Sequence, residues 1–231
     1  MTENQTKVDF FENGLCFLCH TSRGQLLNFA QFHTETEASW KKKDDILQSN
    51  LDEELQLHHE FQHHDIIDNY AWDLHQNQYQ FPNMHWESLV ITVYNFLEAQ
   101  LNNLCNTISL SVDNKIKLKD LKGHGVTRAF LYLTKVANID FSAMTREKSY
   151  IRNINVLRNQ IVHNGGYLPD ESEKQLNSFV AKNANLSGTP NSSVSLSPNF
   201  IDEFINTLIN FFDKLDIEIQ AFIRREHGRL C

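Results

Sequence analysis

The residues best suited to chemistry lie together in one segment, IRNINVLRNQIVHNGG, which runs from position 151 to 166. Arg158 and His163 stand five residues apart in it, and Asn159 follows the arginine directly. Histidine exchanges a proton near neutral pH, whereas arginine keeps its charge and has a planar donor set that matches a phosphate. RNA cleavage requires both kinds of group, because a 2′-hydroxyl proton must be removed, a leaving oxygen protonated and the phosphate charge stabilised.

This segment has the pattern of a helix from about residue 146 to 164. Its apolar residues recur three or four positions apart, and the Asn-Gly-Gly sequence that follows His163 accepts the left-handed conformation found at helix ends. On a regular helix Arg158 and His163 project about 140° apart, so one chain does not pair them, whereas Asn159 and His163 share a face. The alternative is that His163 and Asn164 only cap the helix end.

Two further motifs have the spacing of haem or metal sites. Cys16 and Cys19 belong to the sequence CFLCH, which has the spacing of c-type haem attachment and of half a zinc site, although two ordinary thiols are the simplest interpretation. His59 and His63 belong to HEFQH, an HExxH pattern in which two histidines hold zinc and the glutamate is the base of a peptidase. No third ligand follows at a suitable spacing, and a solvated helix face is the alternative.

The rest of the chain predicts the helices that position the 151–166 segment. Only 8 glycines and 4 prolines interrupt the 231 residues, which favours a mostly helical fold over a many-stranded one. Apolar periodicity places helices at about 46–78, 84–108, 118–137, 146–164 and 198–225. We expect two parts: a partly helical lead-in at 1–45 and a main domain at 46–231. A Ser/Asn-rich loop or short hairpin at 183–199 precedes the last helix.

Composition and charge limit the environment and the partners of the chain. The net charge is -8, but the segment 113–163 carries ten Lys or Arg against four acids. This local excess suits a polyanion, since phosphate contacts respond to nearby charge, although an ordinary charged surface has the same pattern. The N-terminal residues lack the pattern of a signal peptide and the apolar runs are too short to span a membrane. We therefore expect a cytoplasmic protein with reduced cysteines and no membrane partner.

The sequence RNQIVH at 158–163 resembles the R-x4-H signature of the HEPN superfamily, including the polar residue that its members favour after the arginine. The surroundings are similar as well: Tyr94 and Glu98 lie on a long predicted helix, the signature helix ends in His-Asn-Gly, and an amphipathic helix follows an irregular loop. The resemblance spans about 46–225. It implies an all-α fold, an up-and-down helical bundle of the HEPN type. The bundle would carry an N-terminal helical extension and a small irregular or hairpin insert before the last helix.

The resemblance also implies a function, that of a metal-independent endoribonuclease without a cofactor. Its homodimer would place two R-x4-H motifs at one cleft that binds RNA. His163 would be the general acid or base, Arg158 would stabilise the phosphate and Asn159 would orient the histidine or a phosphate oxygen. The residues expected to support catalysis are Glu98, Tyr94 and Asn164, and those expected to bind RNA are Arg152, Lys148 and Arg128. Relatives act as toxins or in abortive infection against phage, which implies a defence role and an antitoxin or trigger protein as partner.

Two alternatives remain open at this point. The first is a HEPN-like module that keeps the fold and the dimer but binds a protein or a nucleotide without cutting. Many catalytic relatives have a tyrosine two residues after the histidine, where this chain has Gly165. The second alternative is the zinc peptidase at His59 and His63.

Overall fold

The computed structural model describes residues 10–112, 116–171 and 174–229. These ranges are mostly helical, which confirms the all-α prediction. They contain seven α-helices: α1 (Leu18–Leu57), α2 (His63–His75), α3 (Phe81–Ser111), α4 (Gly125–Lys135), α5 (Thr145–Asn164), α6 (Lys174–Lys182) and α7 (Pro198–Arg229). One antiparallel hairpin pairs β1 (Leu186–Ser187) with β2 (Ser195–Leu196). None of the described helices combines the length and the apolar character that a membrane span requires.

The first helix is longer than the sequence pattern predicts. α1 begins at Leu18 and runs without interruption past residue 46, where apolar periodicity placed the start of a helix. Its sequence contains one glycine and no proline, so no helix-breaking residue ends it early. Its apolar residues are scattered and follow no clear helical spacing, which is why the periodicity did not predict its first half. The helix expected at 46–78 is instead divided, because α1 ends at Leu57 and a short 3-10 segment, Glu60–Gln62, precedes α2.

Pro82 lies in the first turn of α3 and does not end a helix. Proline has no N–H to donate, and its ring crowds the carbonyl four residues earlier in a regular helix. A π-helical segment, Gln76–Gln80, lies directly before α3. The backbone therefore departs from regular α-helical bonding at the carbonyl that the proline ring would otherwise crowd. α2, this segment and α3 therefore follow one another without a loop.

Two of the remaining helices differ from the sequence prediction. α4 begins later than predicted, at Gly125. α6 lies in a segment where no helix is predicted. The hairpin lies within the expected loop at 183–199.

Residue contacts divide the described chain into two compact units. The first unit contains the described residues of 1–27, 92–156 and 204–231, and the second contains those of 28–91 and 157–203. Helices α1, α3, α5 and α7 contribute residues to both.

The core of the first unit is an aromatic cluster around α7. Phe211 is fully buried and contacts Phe130 at a ring-centroid distance of 5.9 Å and Phe141 at 6.4 Å. Phe212, also fully buried, meets Phe211 edge to face at 5.5 Å. Large apolar side chains of this kind supply most of the free energy of burial in a helical domain.

In the second unit, the later half of α1 runs antiparallel to the segment that leads from α2 into the start of α3, and packs against it. Trp40 stacks on Phe81 at 5.5 Å, and its carbonyl oxygen accepts a hydrogen bond from the Asn77 side chain. Farther along α1, Glu54 accepts a hydrogen bond from the Tyr70 hydroxyl at 3.1 Å. The hairpin region of this unit is joined to α7 through Glu203, whose carboxylate accepts hydrogen bonds from Asn183 and Asn185.

Candidate functional site

The R-x4-H segment forms the last turns of α5, in the second unit. The helix ends where Gly165 and Gly166 adopt positive φ angles of 58° and 75°. A Cβ on Gly166 would lie in ordinary contact with Glu87 Oε1 at 3.4 Å and Val194 Cγ1 at 3.5 Å, so a side chain at this position is strained by the backbone conformation and not by lack of space. The Gly166 N–H donates to the Gln160 carbonyl, and its own carbonyl accepts from the Val194 N–H at 2.9 Å.

The chain after α5 is held by the hairpin loop. The Leu168 N–H donates to the Ser192 carbonyl at 2.8 Å, and the Leu168 carbonyl accepts from the Asn191 N–H at 3.1 Å. These bonds fix the direction in which the chain leaves the helix, and with it the position of the last turn.

Backbone hydrogen bonds close the helix end. The Gly166 N–H donates to the Gln160 carbonyl, and the Tyr167 N–H donates to the Asn164 carbonyl at 3.1 Å. The Asn164 side-chain amide donates to Gln160 Oε1 at 3.0 Å, and the Gln160 amide in turn donates to the Tyr167 carbonyl, so these side chains bond to one another and to the chain after the helix.

His163 is exposed in the last turn of α5. Its ring forms no hydrogen bond or ion pair with any other residue that the structure describes. Its nitrogens are therefore available to exchange a proton with a bound substrate.

Arg158 is half-buried, and its Nη1 donates to Asn159 Oδ1 at 3.2 Å. Asn159 thus holds the guanidinium group, whereas the shared helix face suggested that it would orient His163. His163 forms no polar bond with Arg158, as their 140° separation on a regular helix requires, and none with Asn159, although the two share a helix face. The structure brings Arg158 and Asn159 together and leaves His163 apart from both.

The residues expected to support catalysis, Tyr94 and Glu98, lie on α3 in the first unit. Tyr94 is buried, and Glu98 is half-buried beside the start of α4. A Cβ on Gly125, which has a φ of 53°, would lie only 3.1 Å from Glu98 Oε2. A carboxylate beside the N-terminus of a helix is stabilised by the helix dipole, which gives Glu98 a structural role in its own unit.

Of the three residues expected to bind RNA, all in the first unit, only Arg152 is exposed. The Lys148 ammonium lies over the Phe141 ring at 4.2 Å from its centroid, and burial, followed by the charge of Arg152, lowers the pKa of Lys148. Arg128 is half-buried and its Nε, which is screened from solvent, has no hydrogen-bond acceptor within the described ranges. Lys148 therefore has a packing role besides any contact with a polyanion.

The geometry of the HExxH motif disagrees with a zinc peptidase. His59 has extended backbone angles and precedes the 3-10 segment, whereas His63 begins α2, so the two histidines do not share a helical turn. The His63 Nε2 donates to the His58 carbonyl at 3.0 Å, and His59 stacks on Phe61.

The CFLCH motif spans a short 3-10 segment, Leu15–Phe17, and the first turn of α1. Cys16 is half-buried and Cys19 is buried, and neither forms a disulfide bond with another described residue. Burial, followed by the charges of Asp216 and Asp213, raises the pKa of the Cys19 thiol well above its usual range. Among the described residues, neither cysteine belongs to a group of three ligand-type side chains close enough to hold a metal ion, which favours the ordinary-thiol interpretation.

One cluster of ligand-type side chains was missed by sequence reasoning. Among the described residues, His33, Glu37 and His85 are the group whose potential ligand atoms all lie within 4.8 Å of one another. His33 and Glu37 are four residues apart on α1 and could have been noticed as one helix face. His85 lies 52 positions beyond His33, and only the packing of α1 against α3 in the second unit brings it to them.

Comparisons with protein-family models, with curated proteins and with solved structures found no match for this chain.

Proposed function

We propose that this protein is a metal-independent endoribonuclease of the HEPN type, with Arg158 and His163 as its catalytic residues. The observation that carries the proposal is the state of His163: an exposed imidazole in a fixed last helical turn, engaged by no other described residue. A histidine that served only to cap the helix would bond to its last carbonyls, and His163 forms no such bond among the described residues.

The reaction requires two steps of proton transfer around one phosphate. The 2′-hydroxyl loses its proton, its oxygen attacks the adjacent phosphorus, and the bond to the 5′-oxygen breaks as that oxygen takes up a proton. His163 serves as the base or the acid in this exchange, and the Arg158 guanidinium stabilises the charge that develops on the phosphate. The products carry a 2′,3′-cyclic phosphate and a 5′-hydroxyl.

Asn159 positions the arginine in this mechanism. Its Oδ1 accepts from Arg158 Nη1, which restricts the long side chain before RNA binds. A pre-positioned guanidinium loses less conformational freedom when it meets a phosphate.

A homodimer supplies the missing contact between the two catalytic groups. Arg158 and His163 project in different directions from α5, so Arg158 of one copy and His163 of another would form each site. RNA is then the substrate, and a cytoplasmic role in defence, under the control of an antitoxin or a trigger protein, follows from the resemblance to HEPN toxins.

The test is the digestion of labelled total RNA in the presence of EDTA by the wild type, His163→Ala and Arg158→Ala. His20→Ala is the matched control, because His20 is another exposed helical histidine. We expect cyclic-phosphate ends from the wild type and from His20→Ala, and a loss of at least about 100-fold in rate for each motif variant, since general acid–base catalysis contributes about 10²–10⁴-fold. Cleavage that survives in His163→Ala would overturn the proposal.

The second candidate is the non-catalytic HEPN-like module, which one observation favours. Gly165 occupies the position of the auxiliary tyrosine with a φ of 58°, a conformation that suits glycine and strains tyrosine. No cleavage by a folded, dimeric wild type, together with retention of RNA or of a protein partner, would support this module instead.

A further inference from the structure

We propose that His33, Glu37 and His85 form a binding site for one divalent transition-metal ion, with Zn²⁺ as the expected occupant. His33 and Glu37 lie on α1 and His85 on α3, all in the second unit. The site is separate from the R-x4-H segment, and the proposal does not depend on the proposed ribonuclease activity.

The distances between the ligand atoms suit a tetrahedral ion. His33 Nδ1 and His85 Nε2 are 3.2 Å apart. Two nitrogens bound to one tetrahedral zinc at about 2.0–2.1 Å are separated by about 3.3–3.4 Å, so both rings are already in place. Glu37 Oε1 is 3.9 Å from His33 Nδ1, and the ligand atoms of all three residues lie within 4.8 Å of one another, so the Glu37 carboxylate moves inward to complete three ligands.

The hydrogen bond at His33 Nε2 fixes the tautomer of the His33 ring. His33 is almost fully buried, and its Nε2 lies 3.1 Å from the carbonyl oxygen of Pro198. A carbonyl oxygen only accepts, so Nε2 carries the proton and Nδ1 presents a lone pair toward His85. A histidine whose second nitrogen donates to a backbone carbonyl is the usual arrangement of a zinc ligand.

A hydrogen bond also orients the Glu37 carboxylate. The Trp86 indole N–H donates to Glu37 Oε1 at 2.7 Å, which orients the carboxylate and leaves this oxygen a second lone pair for a metal. Since Trp86 follows His85 on α3, one turn of α3 supplies a ligand and the group that orients another.

The ligand set also suits this metal. Two histidines and one glutamate are ligands that zinc accepts, and water takes the fourth position.

A metal-free explanation exists for the same arrangement. The His85 Nε2 could donate a hydrogen bond to His33 Nδ1, which would satisfy both rings without an ion. The experiment below separates the two.

The untagged full chain is stripped with a chelator and titrated with Zn²⁺ against a chromophoric competitor, and in parallel with Co²⁺ followed by its visible absorption. We expect one Zn²⁺ per chain, Co²⁺ bands of a four-coordinate site, and a higher melting temperature with zinc. Groups that merely hydrogen-bond to metal ligands contribute about 10–100-fold in affinity, so the loss of a ligand in His85→Ala is expected to exceed that range.

Two further variants keep the result decisive. Glu37→Gln has the same shape and can still accept from Trp86, so weaker binding in this variant reports the lost ligand charge and not a loss of folding. The double variant His59→Ala/His63→Ala removes the two histidines of the HExxH motif, which could hold zinc weakly, and we expect it to bind as the wild type does. The proposal is overturned if the folded wild type fails to bind zinc at micromolar concentration, or if Glu37→Gln and His85→Ala both bind as tightly as it does. It is equally overturned if only the His59→Ala/His63→Ala variant loses the ion.

Discussion

At the scale of single residues, backbone conformation and close packing decide which substitutions the protein tolerates. Gly125→Ala is expected to destabilise the protein by about 1–2 kcal/mol from the left-handed conformation alone, and further because its Cβ would meet Glu98 Oε2 at 3.1 Å. Gly24→Ala is the matched control: Gly24 is exposed within α1 with open space around it, and the change should stabilise by about 0.5–1 kcal/mol. Urea unfolding of both variants measures the difference. Equal effects would show that α4 does not begin as described.

The buried ion pair of the first unit gives a prediction about pH. Burial raises the pKa of Glu147, but the hydrogen bond from Lys214 at 2.6 Å, the local backbone and nearby positive charges together outweigh burial and hold this pKa below its usual range. A lowered pKa in the folded state means that the pair stabilises the protein fully above the ordinary carboxyl pKa of about 4.3 and loses this contribution as the pH falls through the lowered value.

Glu147→Gln keeps the shape of the side chain and removes its charge. The free energy of unfolding of the wild type should exceed that of the variant by a constant amount above about pH 5, and the difference should shrink below about pH 4. Urea titrations at a series of pH values measure it. A difference that does not change with pH would show that the pair contributes through packing alone.

At the scale of the elements, α7 carries the core of the first unit. Phe211 is fully buried among Phe130, Phe141 and Phe212, so Phe211→Ala leaves a cavity that its neighbours fill only in part. We expect a loss of about 3–5 kcal/mol in the free energy of unfolding.

The control for this prediction is Phe61→Ala, because Phe61 is 80% exposed. This change should stay within about 0.5 kcal/mol of the wild type. Denaturant unfolding followed by far-UV circular dichroism compares the two. If Phe211→Ala unfolds as the wild type does, the cluster around α7 is not the core.

At the scale of the whole molecule, the proposed dimer predicts complementation between two inactive proteins. Arg158→Ala supplies an intact His163, and His163→Ala supplies an intact Arg158, so each mixed dimer would contain one complete site. If subunits exchange at random, half of the dimers are mixed and about a quarter of the wild-type activity should return. RNA cleavage by the mixture, with each variant alone as control, measures it. Activity that does not return although the subunits have exchanged would place both groups of the site in one chain.

The sequence by itself determined the helical class of the fold, the helix that carries the R-x4-H motif and the position where that helix ends. Few glycines and prolines, together with apolar residues at helical spacing, were enough to predict a mostly helical chain and to place α5 within one residue of its observed limits. The stop after His163 was also predictable, because Asn-Gly-Gly favours left-handed backbone conformations locally. The continuous α1 was not, since its polar sequence has little periodicity and its limits depend on packing.

The tertiary structure alone decided what the candidate side chains contact. It turned Glu98 toward Gly125, placed Lys148 over an aromatic ring and joined the Arg158 guanidinium to Asn159. It also separated the histidines of the HExxH motif and brought His85 to His33 and Glu37. The physical reason is the range of the interactions: periodicity and turn residues act within a few positions of the chain, whereas ligand geometry and burial depend on residues that only folding brings together.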